Sequence, residues 1–457
     1  MNIITSTLNQ RWLLILLFLI LAIILVHFSI FIVLLIESKR LIPISVQNVV
    51  TALPLIVILY IVGCVLVARS PIRHPIGWYS LFFVIRLLVA IILSLLFLFD
   101  DERGFHYRGI TQPHGFISFE PGNAYYSVVV ILYYIFGANI LLPKTVNVFI
   151  GSLIPFIIVN IANKVFKNQK VAWRAFLLSG FLPPFVFFSA VALKEILSAF
   201  LLLIIIYTLI NANRGIFKSL LCTIIIIVLL YWVRGAPLAL VVVTGSLAYY
   251  TWNIINIIRS KKMAYLIPIS LLLFAIGIYV IFNLLSTIQE IIHNRLKHTY
   301  YIERFVKSQA AVMRFLNAEQ VFTPKNLVIL FLRGLYSPNP LRCFVSPCLG
   351  TFIESLTMLV WYILFPLAII GTIQFRNRAE VVIISIMGFA ILAMATMGPM
   401  VGSDPLRHRI MGMTLFVILA SAAFNRKTKW SYCWITWMWI IGALGFIGLW
   451  LTLRLYG

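Results

Sequence analysis

The chain has 457 residues, of which 62% are apolar and 11% charged, with a mean hydropathy of +1.06 and a formal charge of +24. One soluble core cannot hide that much apolar surface, and no basic, aromatic-interleaved polar domain is present, so the composition argues against a soluble protein and against a nucleic-acid partner. The excess of Lys and Arg fits the cytoplasmic loops and anionic headgroups met by an integral membrane protein.

Taken in order, the apolar segments predict an all-α polytopic protein with one transmembrane domain over residues 1–457. The first segment, 13–36, is too long for the core of a cleaved signal peptide and has no small-residue cleavage site, which predicts a retained helix. Further spans are expected at 47–68, 79–99, 145–165, 175–193, 195–212, 217–233, 237–258, 263–285, 350–373, 380–398, 408–424 and 432–454. That makes thirteen transmembrane helices, each close to the roughly 20 apolar residues a bilayer needs.

Charge sets their sides. Five short connections carry Lys164, Lys167, Lys170 and Arg174; Arg214 and Lys218; Arg259, Lys261 and Lys262; Arg376 and Arg378; Arg426, Lys427 and Lys429, with Glu380 the only acid nearby. Placing all five in the cytoplasm puts the N-terminus inside and the C-terminus outside. Lys39 and Arg40 then fall on the wrong side. Arg86 lies within the third span, on its cytoplasmic half, and reads as a snorkelling or structural group.

The first large outer loop, 100–144, opens on Asp100-Asp101-Glu102, three of the chain's 12 acidic residues in a row. Ionisable groups at a membrane boundary mark a functional site unless they merely solvate a helix end. The same stretch carries His106 and Tyr107 as candidate substrate contacts. Tyr125 to Gly137 is only 13 residues long and has four tyrosines, which predicts an interfacial or re-entrant helix rather than a span. Later outer helix ends present Lys194-Glu195 after Pro183-Pro184, Arg234-Gly235, and Asp404 through Arg407 and Arg409. Singly these cations read as snorkelling residues; jointly they suggest the phosphate-binding half of a shared polar site.

The long outer loop 286–349 shows roughly helical spacing of polar pairs through Leu316, which predicts an amphipathic helix on the bilayer or a basic lid over an anionic substrate. Cys64, Cys222 and Cys433 sit in apolar spans as packing residues. Cys343 and Cys348 lie close enough in sequence for a disulfide, which spacing alone does not establish. No Cys/His set has metal-ligand spacing, and no internal repeat is visible.

Several of these features together resemble the GT-C glycosyltransferases, which include the protein O-mannosyltransferases and the lipid A aminoarabinose transferases. The features are an acidic pair in the first outer loop, a tyrosine-rich segment ending in Phe136-Gly137, a span opening near Lys144 and closing at Lys164-Val165-Phe166, and Pro183-Pro184…Ser189…Lys194-Glu195. Arg407, Arg409 and Leu335-Tyr336-Ser337-Pro338-Asn339-Pro340 look like bacterial members linked to surface polysaccharide. The resemblance implies sugar transfer from a polyprenyl-phosphate donor to a glycan, lipid or protein acceptor at the extracytoplasmic face of a bacterial inner membrane. It assigns the base to Asp101 with Glu102 beside it; because Asp100 precedes the pair, the register between Asp100 and Asp101 stays open.

Elementary chemistry fits that expectation. A carboxylate can take the proton of an attacking hydroxyl, and Lys194, Arg234, Arg407 and Arg409 can hold the charge of a departing phosphate. No cofactor is required, although an Asp-Asp-Glu cluster has the oxygen ligands a divalent metal takes, so metal assistance stays open. Two other readings stand beside this one. A polysaccharide polymerase or ligase would work through the basic 286–349 loop with His293 and His298. A lipid-linked sugar transporter would show mid-bilayer charges and related halves, which the sequence does not show.

Overall fold

The computed structural model describes residues 46–96, 100–111, 122–212, 215–261, 335–336, 349–397, 405–424 and 433–456. The segments expected at 13–36 and 263–285, Cys343, Cys348 and nearly all of the 286–349 loop lie outside the described residues. Every regular element among the described residues is helical. In chain order these are α1 (Val46–Val67), α2 (Pro75–Leu96), α3 (Asp100–Thr111), α4 (Ala124–Phe136), α5 (Leu141–Phe166), α6 (Gln169–Phe181), α7 (Pro183–Ser189), α8 (Glu195–Ile210), α9 (Ile216–Arg234), α10 (Ala236–Lys261), α11 (Leu349–Gln374), α12 (Ala379–Met397), α13 (Pro405–Ala423) and α14 (Cys433–Tyr456).

Among the described residues four stretches are long and apolar enough to cross a membrane: Asn48–Val67, Pro75–Ser94, Leu141–Phe166 and Phe352–Gln374. The bent pair α6–α7 makes a fifth. With α1 turning Val50, Leu53, Val57, Ile61 and Val65 outward, the chain is an integral membrane protein, since only lipid receives such a face without cost. Among the described residues the structure thus supports four to five spans by length and composition; the thirteen expected from the sequence include two, 13–36 and 263–285, that lie outside those residues, and α8, at 16 residues, is among the shorter apolar helices.

The core is built around α5 and α13. The first contacts α1, α2, α6 and α8; the second contacts α6, α8, α11 and α12. Close approach of α11 to α13 requires Gly371, because a Cβ there would overlap the Leu419 carbonyl.

The expected single span 175–193 is instead broken, and the reason lies in two adjacent prolines. Pro183 and Pro184 have no N–H to give the carbonyls four residues back, Ser179 and Gly180. Leu182, before them, is extended at φ −57°, ψ 126°, as pre-proline residues prefer, and the axes of α6 and α7 diverge by 51°. The two orphaned carbonyls are taken by Arg86 of α2, whose Nη2 donates to Gly180 O at 3.0 Å and Ser179 O at 3.4 Å. Its Nη1 donates to Phe82 O at 3.3 Å. Arg86 is fully buried; it serves the structural role and does not snorkel.

The helices also define two ends. Lys164 donates to the Asn211 side chain, Arg174 to Phe424 O at 2.9 Å, and Arg378 to Val165 O, which gathers the connections after α5, α8, α11 and α13 at one end. The starts of α5 and α8 and the end of α9 lie at the other. Along α5 the 19 residue steps from Lys144 to Asn163 span about 28 Å, close to the thickness of a hydrocarbon core.

Candidate functional site

The site begins with the irregular segment between α7 and α8. Once α7 stops at Ser189, residues 190–194 need partners for their backbone groups. Asn147 of α5 supplies two, its Nδ2 donating to Val191 O at 2.6 Å and Leu193 O at 2.7 Å, and it also donates to Tyr125 Oη of α4 at 3.1 Å. Glu102 supplies a third, its Oε1 accepting the Ala192 N–H at 2.5 Å.

Glu102 is fully buried, as is Lys144, and the Lys144 ammonium lies 3.4 Å from Glu102 Oε1. Lys144 sits in the first turn of α5, which Asn139 pins in place. The Asn139 side chain accepts the Leu141 N–H at 3.0 Å and donates to Thr51 Oγ1 at 2.9 Å and to Asn48 O. Two buried charges in a lipid-embedded protein persist only when each meets the other and further polar groups.

A second pair stands beside the first. Arg234, the last residue of α9, donates to Glu195 Oε1, the first residue of α8, at 3.1 Å. Lys194 donates to Gly122 O at 3.0 Å, and Gly122 N–H donates to Trp232 O at 2.8 Å, so the segment entering α4 is tied to α8 and α9. Gly122 has φ +87°, a backbone conformation that side chains resist. Burial holds the Tyr125 hydroxyl well above the usual range, and the nearby charges of Glu102 and Glu195 push it the same way. Glu195 Oε2 is buried without a hydrogen-bond partner among the described residues.

The structure therefore brings together Glu102, Lys194, Glu195 and Arg234. Asp100 and Asp101 occupy the first turn of α3, next to Glu102 in the chain, though their side chains are not among those described. His106 packs on α4, its Nδ1 2.7 Å from Tyr133 Oη, and burial lowers its pKa below 6.5. Tyr107 is 70% exposed and does not join the cluster. Arg407 lies in the first turn of α13, its side chain undescribed. Arg409, further along α13, is buried against α11, its guanidinium over the Trp361 ring at 5.6 Å and against Met358 Sδ.

Lys144, Asn147 and Tyr125 are the residues that sequence reasoning passed over. The signal for Lys144 was present, a lone cation in the first turn of an apolar span, but it reads equally as a snorkelling helix end. Among the described residues no group of three or more His, Cys, Asp or Glu side chains is placed to hold a metal ion.

No protein-family model matches the chain, and no curated protein matches it. Among solved structures it is similar to the crystal structure of ArnT from Cupriavidus metallidurans bound to undecaprenyl phosphate. The sequences are 14% identical, the alignment covers 83% of this chain and 72% of that chain, and the TM-score is 0.44.

Proposed function

We propose that the chain is a membrane glycosyltransferase of the GT-C type. In this reading it moves a sugar from a polyprenyl-phosphate donor to a glycan, lipid or protein acceptor at the extracytoplasmic face of a bacterial plasma membrane. The observation that carries it is the convergence of Glu102, Lys144, Lys194, Glu195 and Arg234 at one end of the helices, with the basic connections at the other. By the charge rule the basic end is cytoplasmic, which turns the carboxylate–cation cluster outward.

The roles follow from the geometry. Glu102, buried and bonded to α5 and to Ala192, is a positioning residue that fixes the first turn of α3. That turn also carries Asp100 and Asp101, and Asp101 takes the proton of the attacking acceptor hydroxyl as its oxygen bonds to the anomeric carbon. The bond from that carbon to the phosphate oxygen breaks, and polyprenyl phosphate leaves with the added negative charge. Lys194 and Arg234, held at fixed points by Gly122 O and Glu195, stabilise it. Their pre-positioning matters because donors set in advance need no reorganisation as the charge appears.

The test is sugar transfer by purified Asp100→Asn, Asp101→Asn and Glu102→Gln proteins. Loss of the base is expected to slow Asp101→Asn by about 100- to 10,000-fold, with donor binding retained. Loss confined to Asp100→Asn would move the base one residue earlier. Transfer within a few-fold of the parent in all three would end the glycosyltransferase reading of this cluster.

A further inference from the structure

At the far end of α5 from the Glu102 cluster lies a cavity of about 930 Å³, bounded by the α1–α2 connection, the last turns of α5 and the first turns of α6. Arg73, His74, Lys170 and Arg174 line it, and among the described residues none that lines it is acidic. Arg73, His74 and Lys170 are exposed, while Arg174 is half-buried and anchored by Phe424. The wall beside them is aromatic: Trp78 and Trp173 meet edge to face at 5.6 Å, and Trp173 stacks on Phe176 at 5.3 Å. The first N–H groups of α6 do not supply the charge, because Asn168 already accepts from Lys170 N and Val171 N.

Cations gathered in one cavity repel each other, and an anion that enters relieves all of them together. This cavity sits at the ends of α1, α2, α5 and α6, and a bilayer crossed by the apolar lengths of α1, α2 and α5 would set its phosphates at that level. A small soluble anion would use the basic groups and leave the tryptophans idle. A lipid uses both, presenting a phosphate and an apolar stem. Indole rings also settle at this boundary for the same reason, an apolar body with a polar edge.

We propose that this cavity binds the phosphate headgroup of an anionic membrane lipid, on the face opposite the carboxylate–cation cluster. Arg73, Lys170 and Arg174 hold the phosphoryl oxygens, and Trp78 and Trp173 cover the glycerol and first acyl carbons. The site stands whether or not the cluster transfers sugar, because none of its residues belongs to that machinery.

Native mass spectrometry of the purified full chain, equilibrated with phosphatidylglycerol and phosphatidylcholine of equal chain length, reads the site directly. The parent is expected to retain phosphatidylglycerol preferentially. The Arg73→Gln/Lys170→Gln protein should lose that preference roughly tenfold or more, since each basic side chain near an anionic surface contributes several-fold. Lys218→Gln, at an exposed basic position on the same end but outside the cavity, should retain it. Should the double variant fail to fold, Lys170→Gln alone, at an exposed side chain, carries the test. Equal retention in parent and variant, or an equal loss in Lys218→Gln, overturns the proposal. Displacement of the lipid by millimolar inorganic phosphate would also overturn it, in favour of a soluble phosphate ligand.

Discussion

Glu102 and Lys144 come from points 42 residues apart and meet with neither touching water. Removing one charge strands the other, at a cost of about 3–5 kcal/mol when the pair is buried, whereas removing both leaves a neutral contact. Lys144→Met is therefore expected to lower the melting temperature sharply. Glu102→Gln/Lys144→Met should recover most of the loss, its amide oxygen still accepting from Ala192. Equal losses in the single and double variants would show that shape, not charge, holds this contact. His106 offers a pH-dependent counterpart. Burial places its folded pKa below the ordinary 6.5, so the fold favours the neutral ring. That contribution is complete above 6.5 and lost as pH falls through the lower folded value. Between about pH 7.5 and about pH 5 the melting temperature should fall, and fall less in His106→Gln. Parallel curves for the two proteins would assign the fall to other groups.

At the scale of the helix, packing contacts are specific enough to separate neighbouring glycines. A larger residue at Gly371 must push α11 off the Leu419 carbonyl, while a Cβ at Gly412 meets only ordinary contacts from 3.6 Å. Gly371→Leu is expected to cost about 1–3 kcal/mol by overpacking, and Gly412→Ala little; thermal melts showing the two alike would contradict the α11–α13 contact. Helix limits of this kind were legible in the sequence wherever the bilayer dictates them. The expected 47–68, 217–233 and 350–373 agree with α1, α9 and α11 to within a residue. What a hydropathy window averages away was not legible. Pro183-Pro184 stood out as a motif, yet the window ran a span straight through it, because two missing N–H groups do not change an apolar mean. Residues 100–111, with two glycines and a run of charges, read as loop and form α3 instead, bound through its contact with α4. Half of the candidate site was visible for the same reason. Lys194, Glu195 and Arg234 are charges at predicted helix ends, but their pairings, and the part played by Lys144, depend on contacts between distant residues.

For the molecule as a whole, the two ends give the sharpest prediction. With all five native cysteines replaced, Gly104→Cys should react with an impermeant thiol reagent added to intact cells, and Gln169→Cys only after lysis. Both positions are exposed; the reverse pattern would invert the orientation and move the cluster to the cytoplasmic side. The Arg86 bridge has a further consequence, one of timing. Its acceptors in α6 lie 93 and 94 residues further along the chain, so at about 5–20 residues per second a ribosome makes them about 5 to 19 s after Arg86. Throughout that interval α2 holds a guanidinium with no α6 to receive it. The helix must wait beside the insertion machinery, or sit shallow in the bilayer, until the proline break arrives. The seam between α2 and α6 is thus closed late in synthesis, and a chain halted before Ser179 would carry into the lipid an arginine without its two α6 acceptors, left with Phe82 O of its own helix.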